Sequence, residues 1–93
     1  MEKILNYIYG EFLEPESGEF LDNTNPATGQ VYSLVPRSNE VDAERAVEAA
    51  VSSFRMWSRL TKDERASYLF KIADLIEENF EELALAETRD NGK

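Results

Sequence analysis

A change of hydrophobic period at Asn39 constrains this chain more than any other feature. Before it, apolar residues alternate in short runs broken by Gly, Pro and Asn. After it, they recur at three- and four-residue steps. Such a pattern predicts strands first and helices second, an α+β arrangement with the two kinds of element segregated along the chain.

The extended part falls within about residues 7–36. In Tyr7 to Leu13, Ile8, Gly10 and Phe12 fall on one face and Tyr7, Tyr9, Glu11 and Leu13 on the other. Pro15-Glu16-Ser17-Gly18 supplies turn residues, and Phe20 to Thr24 resumes the extended pattern, which together read as a hairpin. In Asn25-Pro26-Ala27-Thr28-Gly29, Pro26 presets φ and Gly29 is free to take positive φ, so a turn leads into a third strand, Val31 to Val35. The expectation is an antiparallel meander of three strands.

The helical part begins with a cap at Ser38 or Asn39. Val41, Ala46, Val47, Ala50, Phe54 and Trp57 share one stripe, which predicts a helix over about 40–59. Thr61 and Glu64 form a capping box, opening a second helix over about 62–78 whose stripe holds Ala66, Leu69, Phe70, Ala73 and Ile76. Asn79 is placed to break or bend it, and a last helix over about 80–90 runs to Gly92 as its C-cap glycine. The result is a β-meander followed by a helical hairpin, in which the Ala46/Ala50/Phe54 and Leu69/Ala73/Ile76 stripes are expected to pack on each other.

Composition then limits function. The chain of 93 residues has a formal charge of −9, the wrong sign for neutralising phosphates, so nucleic acid is excluded as a partner. No run of 18 apolar residues exists to form a membrane helix. The start, Met-Glu-Lys-Ile-Leu-Asn-Tyr, lacks the apolar stretch of a signal peptide, and no Cys hints at disulfides, so a cytoplasmic location is expected. With no His and no Cys, the commonest general base, the usual zinc ligands and the readiest nucleophile are missing. The four glycines are too far apart to cradle a phosphate. Any catalysis would rest on carboxylates, Lys, Ser, Thr and Tyr.

The remaining candidates read most simply as structure. Glu77, Glu78, Glu81, Glu82 and Glu87 could be seen as a metal or acid–base cluster, but hard cations need oxygens converging from several segments, and a solvated helix face is the plainer reading. Tyr7, Tyr9, Phe12 and Tyr32 could form a stacking platform, although aromatics on a sheet more often serve as core or contact residues. Trp57 is read as a packing anchor. No residue set here runs a reaction unaided, which suits the N-terminal segment of a larger enzyme; the stop at Lys93, directly after a helix cap, fits a natural C-terminus as well as a boundary within a longer chain.

The order of the motifs resembles a known family. Tyr7-Ile8-Tyr9-Gly10-Glu11-Phe12, Asn25-Pro26-Ala27-Thr28-Gly29-Gln30-Val31, and Val41-Asp42 through Ala50 with Phe54 and Trp57 are similar to the opening of the NAD(P)-dependent aldehyde dehydrogenases. The similarity continues through Glu64-Arg65, Ile72-Ala73-Asp74-Leu75-Ile76-Glu77, Asn79, Glu81-Glu82-Leu83-Ala84 and Glu87-Thr88 to Asp90-Asn91-Gly92-Lys93. Gln30-Val31-Tyr32 and Pro36-Arg37-Ser38 look closest to members acting on muconic-type semialdehydes.

The resemblance implies a parent enzyme of the α/β aldehyde dehydrogenase fold that oxidises an aldehyde to an acid with NAD or NADP. A Cys thiolate would attack the carbonyl, hydride would leave to the cofactor, and a Glu-activated water would release the acyl group. All these residues lie later in the family's chain, so no catalytic or cofactor-binding residue is assigned in this segment, which is expected to be structural, inactive alone and part of a homo-oligomer. The resemblance also implies one candidate metal site, a monovalent cation between Asp90 and the carbonyls of Asn23 and Thr24, set against the plainer reading that Asp90 caps or pairs near the helix end. The competing reading of the whole chain is a self-standing acidic interaction or dimerisation module without enzymatic activity.

Overall fold

The structure, a computed structural model, describes residues 1–92. Five strands precede three helices: β1 (Glu2–Lys3), β2 (Asn6–Ile8), β3 (Glu11–Leu13), β4 (Phe20–Thr24), β5 (Val31–Pro36), α1 (Glu40–Arg59), α2 (Lys62–Glu78) and α3 (Phe80–Asn91). The segregated α+β order therefore stands as the period change predicts. The strands, however, pair differently from a simple meander.

The stretch expected to be one strand over Tyr7 to Leu13 folds back on itself. β2 and β3 pair antiparallel, with Tyr7 opposite Phe12, as a separate two-stranded sheet. The turn between them is Tyr9-Gly10, both with positive φ (53° and 78°), the handedness that matches the twist of paired strands. Gly10 takes that conformation freely, whereas a tyrosine there is strained. The Pro15–Gly18 turn forms as expected, with Gly18 N–H donating to Pro15 O at 2.9 Å, but it connects two sheets and closes no hairpin.

β4 and β5 pair antiparallel, and short β1 joins β5 in parallel on its other side, giving the order β1-β5-β4. The β4–β5 connection is the Asn-Pro-Ala-Thr-Gly turn. Asn25 Oδ1 accepts from Ala27 N at 2.9 Å, Asn25 O accepts from Gly29 N at 2.8 Å, and Gly29 adopts φ 73°. A register shift falls at Asn23/Thr24, where β4 enters the turn.

Side chains cap the starts of α1 and α2, while α3 has no side-chain N-cap and is closed by Gly92 at its end. The Asn39 side chain accepts from Val41 N at 3.0 Å, while Asp42 Oδ2 accepts from Asn39 N at 2.9 Å. Thr61 and Glu64 reciprocate in the same way at the start of α2. Asn79 ends α2 with its amide on Leu75 O, and its φ of −110° and ψ of 23° restart the chain as α3.

The packing is the unexpected part. Among the described residues no hydrophobic side chain is buried. The buried ones are Pro15, Ser33 and Asp42. The expected contact between the α1 and α2 stripes does not form: Phe54 stays 64% exposed and Leu69 65%. The rings of Trp57 and Tyr68, 5.4 Å apart beside the corner between these helices, do meet. Cα atoms spread over 47 × 34 × 16 Å with a radius of gyration of 16.7 Å, against about 12 Å for a compact domain of this length. The accessible surface is 7735 Å², where a folded monomer of this mass exposes about 5,500 Å². The elements form a slab, each helix satisfied along its backbone and unsatisfied on its apolar face.

Candidate functional site

The densest polar constellation joins the last turn of α3 to the β4–β5 pair. Asn23 and Ser33 face each other in register, and α3 brings Asp90 over them. Tyr32 Oη donates to Asp90 Oδ1 at 3.0 Å, and the Asn23 amide reaches the same oxygen at 3.2 Å. That amide also lies 3.1 Å from Tyr32 Oη and 3.0 Å from Ser33 Oγ, with Ser33 fully buried beneath it. Asp90 thus accepts from a hydroxyl and an amide across 58 and 67 residues of sequence, which latches α3 to the sheet.

Desolvation against the sheet, followed by the hydrogen bond and the charge of Asp90, holds the Tyr32 hydroxyl above its ordinary pKa of 10.0. The Asn23 and Ser33 hydrogen bonds pull the other way. The latch therefore works with a neutral phenol as donor and a carboxylate as acceptor. Next to it runs an open trough of about 730 Å³ lined by Glu2, Ile4, Asn23, Tyr32, Leu83 and Asp90.

Of the residues expected to hold a cation, the structure brings Asn23 and Asp90 together through the Asn23 side chain. Thr24 follows at the register shift, opposite Val31, with its side chain exposed. The donors around Asp90 Oδ1 are N–H and O–H groups, which suit a carboxylate and offer a cation nothing. An ion here would use the other carboxylate oxygen and backbone carbonyls.

Other expectations resolve simply. The glutamates of α2 and α3 lie exposed, and among the described residues no group of three or more carboxylates could hold a metal. The four aromatics do not make one platform: Tyr7 and Phe12 meet edge-on at 4.8 Å across the hairpin, while Tyr32 belongs to the latch.

A second constellation escaped sequence reading beyond its capping role. Asp42, 4% exposed, accepts from Glu16 N and Asn39 N, both at 2.9 Å. The Asn39 amide in turn donates to Glu16 Oε2 at 2.8 Å, pinning the 15–18 turn to the start of α1. The Asn39-x-x-Asp42 spacing signals the cap, but nothing local signals the Glu16 partner. Neither constellation includes a Cys, His or Lys side chain.

The model of the aldehyde dehydrogenase family matches residues 12–93. This chain belongs to the aldehyde dehydrogenase family. The segment is 47% identical over 88 residues to acetaldehyde dehydrogenase of Pseudomonas aeruginosa, covering 95% of this chain and 17% of that enzyme. It is equally 47% identical over 88 residues to 2-aminomuconic semialdehyde dehydrogenase of Bos taurus, covering 95% of this chain and 18% of the relative. Betaine aldehyde dehydrogenase of Staphylococcus aureus, solved in complex with NAD+, superposes with a TM-score of 0.90 at 38% identity, over 97% of this chain and 19% of that one. The chain therefore spans less than a fifth of these aldehyde dehydrogenases. The stretch is thus equally similar to an enzyme named for acetaldehyde and to one named for an aminomuconic semialdehyde.

Proposed function

We propose that these residues are the N-terminal, structural part of an enzyme that oxidises an aldehyde to a carboxylic acid with NAD or NADP. Its thiolate and cofactor-contacting residues lie outside the 93, and the segment is inactive alone. The observation carrying this is the absence of any buried hydrophobic side chain among the described residues of a chain whose relatives are over five times longer. Helix faces bearing Phe54, Leu69, Phe70, Leu75 and Phe80 at half exposure or more need a partner surface, and the rest of the same polypeptide is that partner. Residues 7–36 and the helices 40–59, 62–78 and 80–90 then act as one scaffold, with the cofactor and catalytic domains elsewhere.

The parent is proposed to be a cytoplasmic homo-oligomer. No helix among the described residues is long and apolar enough to cross a membrane. The test is to assay the segment and the intact enzyme side by side for aldehyde-dependent NAD(P)H formation. Turnover is expected from the intact protein only, and turnover by the segment would sink the reading.

A second reading concerns Asp90. The Asn23 hydrogen bond occupies Asp90 Oδ1 and sets the residue beside β4, so in this reading a monovalent cation is held by the other carboxylate oxygen and the carbonyls of Asn23 and Thr24. In the intact enzyme, saturable stabilisation by sodium or potassium that choline does not reproduce, and that Asp90→Ala abolishes, would support it. Identical melting in all three salts would reject it.

A further inference from the structure

Of the six asparagines, only Asn91 is followed by glycine. We propose that Asn91-Gly92 is a spontaneous deamidation site, gated by the last turn of α3, whose conversion opens the Asp90 latch. In this reaction the Gly92 backbone nitrogen loses its proton and attacks Asn91 Cγ. The bond from Cγ to the side-chain nitrogen breaks, ammonia leaves, and a five-membered succinimide forms. Water then opens the ring at one carbonyl or the other, giving aspartate or isoaspartate. Water is the only co-reactant.

Glycine favours ring closure because no side chain crowds the attacking nitrogen. The other asparagines lack that advantage. Asn25 precedes Pro26, whose nitrogen carries no proton, and Asn6, Asn23, Asn39 and Asn79 precede Tyr7, Thr24, Glu40 and Phe80. Asn91 is also exposed, at the final residue of α3.

The fold both presents this site and restrains it. Gly92, at φ 74°, donates its N–H to Thr88 O at 2.8 Å, so the attacking nitrogen is occupied. The Asn91 amide donates to Glu87 Oε1 at 2.5 Å, holding the electrophile away in helical geometry. Gly92 lies so close to the Asn-Pro turn that an added Cβ would sit 3.0 Å from Pro26 Cγ, and the neighbouring Asp90 is latched to Tyr32 and Asn23. Ring closure therefore requires the last turn to fray first.

Conversion then acts on the same turn. It places a new carboxylate four residues from Glu87 and next to Asp90, at the negative end of the helix dipole, where like charges destabilise. Isoaspartate also lengthens the backbone by a methylene and breaks the C-cap. A transient fraying becomes permanent.

The experiment incubates the intact protein at neutral pH beside the synthetic peptide Ala86–Lys93. Peptide mass spectrometry follows each asparagine and separates aspartate from isoaspartate. The expected result is that Asn91 converts before any other asparagine, at least about tenfold more slowly than in the peptide. Tyr32→Phe, which removes one latch bond and keeps the ring, is expected to raise the rate, and Asn91→Asp to speed amide exchange across residues 86–92. A folded-state rate equal to the peptide's, earlier conversion elsewhere, a folded protein whose Asn91 never converts, or indifference to Tyr32→Phe would each overturn the proposal.

Discussion

Individual residues hold this segment's elements in place through polar contacts, because its apolar ones are left facing outward. Asp42 is the clearest case, a buried carboxylate whose two oxygens each accept a backbone N–H. Replacing it with alanine strands both donors, and a loss of about 2 kcal/mol is expected. Amide exchange at Glu16 and Asn39 in the intact protein measures this directly, and unchanged protection would refute the assignment. Tyr32 adds a pH dependence of definite sign. Its folded pKa is raised above the ordinary 10.0, so the unfolded state releases the phenolic proton first. The latch contributes fully below pH 10.0 and weakens as pH rises through the folded pKa. Tyr32→Phe should flatten the alkaline loss of protection at the end of α3; an identical alkaline profile in wild type and variant would contradict this.

At the scale of elements, local chemistry was legible and pairing was not. The three helices follow from apolar periodicity and from caps at Asn39, Thr61 and Gly92, all of which make their hydrogen bonds. The Asn-Pro-Ala-Thr-Gly turn was equally readable, because Pro26 presets φ and Gly29 supplies the positive φ of 73°. Strand partnership was misread at Tyr9-Gly10, since a bulky ring at the first turn position masks a signal usually written Asn-Gly. Gly10 inside an alternating run was the clue available. The parallel pairing of β1 had no local signature at all, being two residues long with Lys3 over the Phe20 ring at 4.9 Å. For the candidate site, the family resemblance pointed to Asp90 with the carbonyls of Asn23 and Thr24, whereas the contact that forms runs through the Asn23 side chain and takes in Tyr32 only through the register of β4 and β5. Two substitutions test this level. Tyr9→Asn adopts the positive φ with less strain and should stabilise the hairpin by about 1 kcal/mol, seen as slower exchange of the Ile8 and Glu11 amides. Thr61→Ala removes the α2 N-cap and should cost about 1 kcal/mol, seen as faster exchange at Glu64.

For the whole molecule, the governing fact is the mismatch between capped helices and the lack of any buried hydrophobic side chain among the described residues. Hydrogen bonds and caps specify a shape, yet the free energy of folding comes mainly from apolar burial, and here the large side chains remain in solvent. That is the condition expected of the proposed scaffold, whose partner surface would lie in the rest of an aldehyde dehydrogenase. The misjudged contact between the α1 and α2 stripes has the same origin. Two apolar faces in a short sequence invite mutual packing, but here both stay in solvent, where the proposed reading has the remaining polypeptide cover them. Calorimetry combined with sedimentation of the isolated 93 residues tests this most directly. The account predicts no sharp unfolding transition from a monodisperse monomer, and association through the exposed helix faces. A cooperative, concentration-independent transition from a monomer would contradict it and mark the chain as a self-standing acidic module.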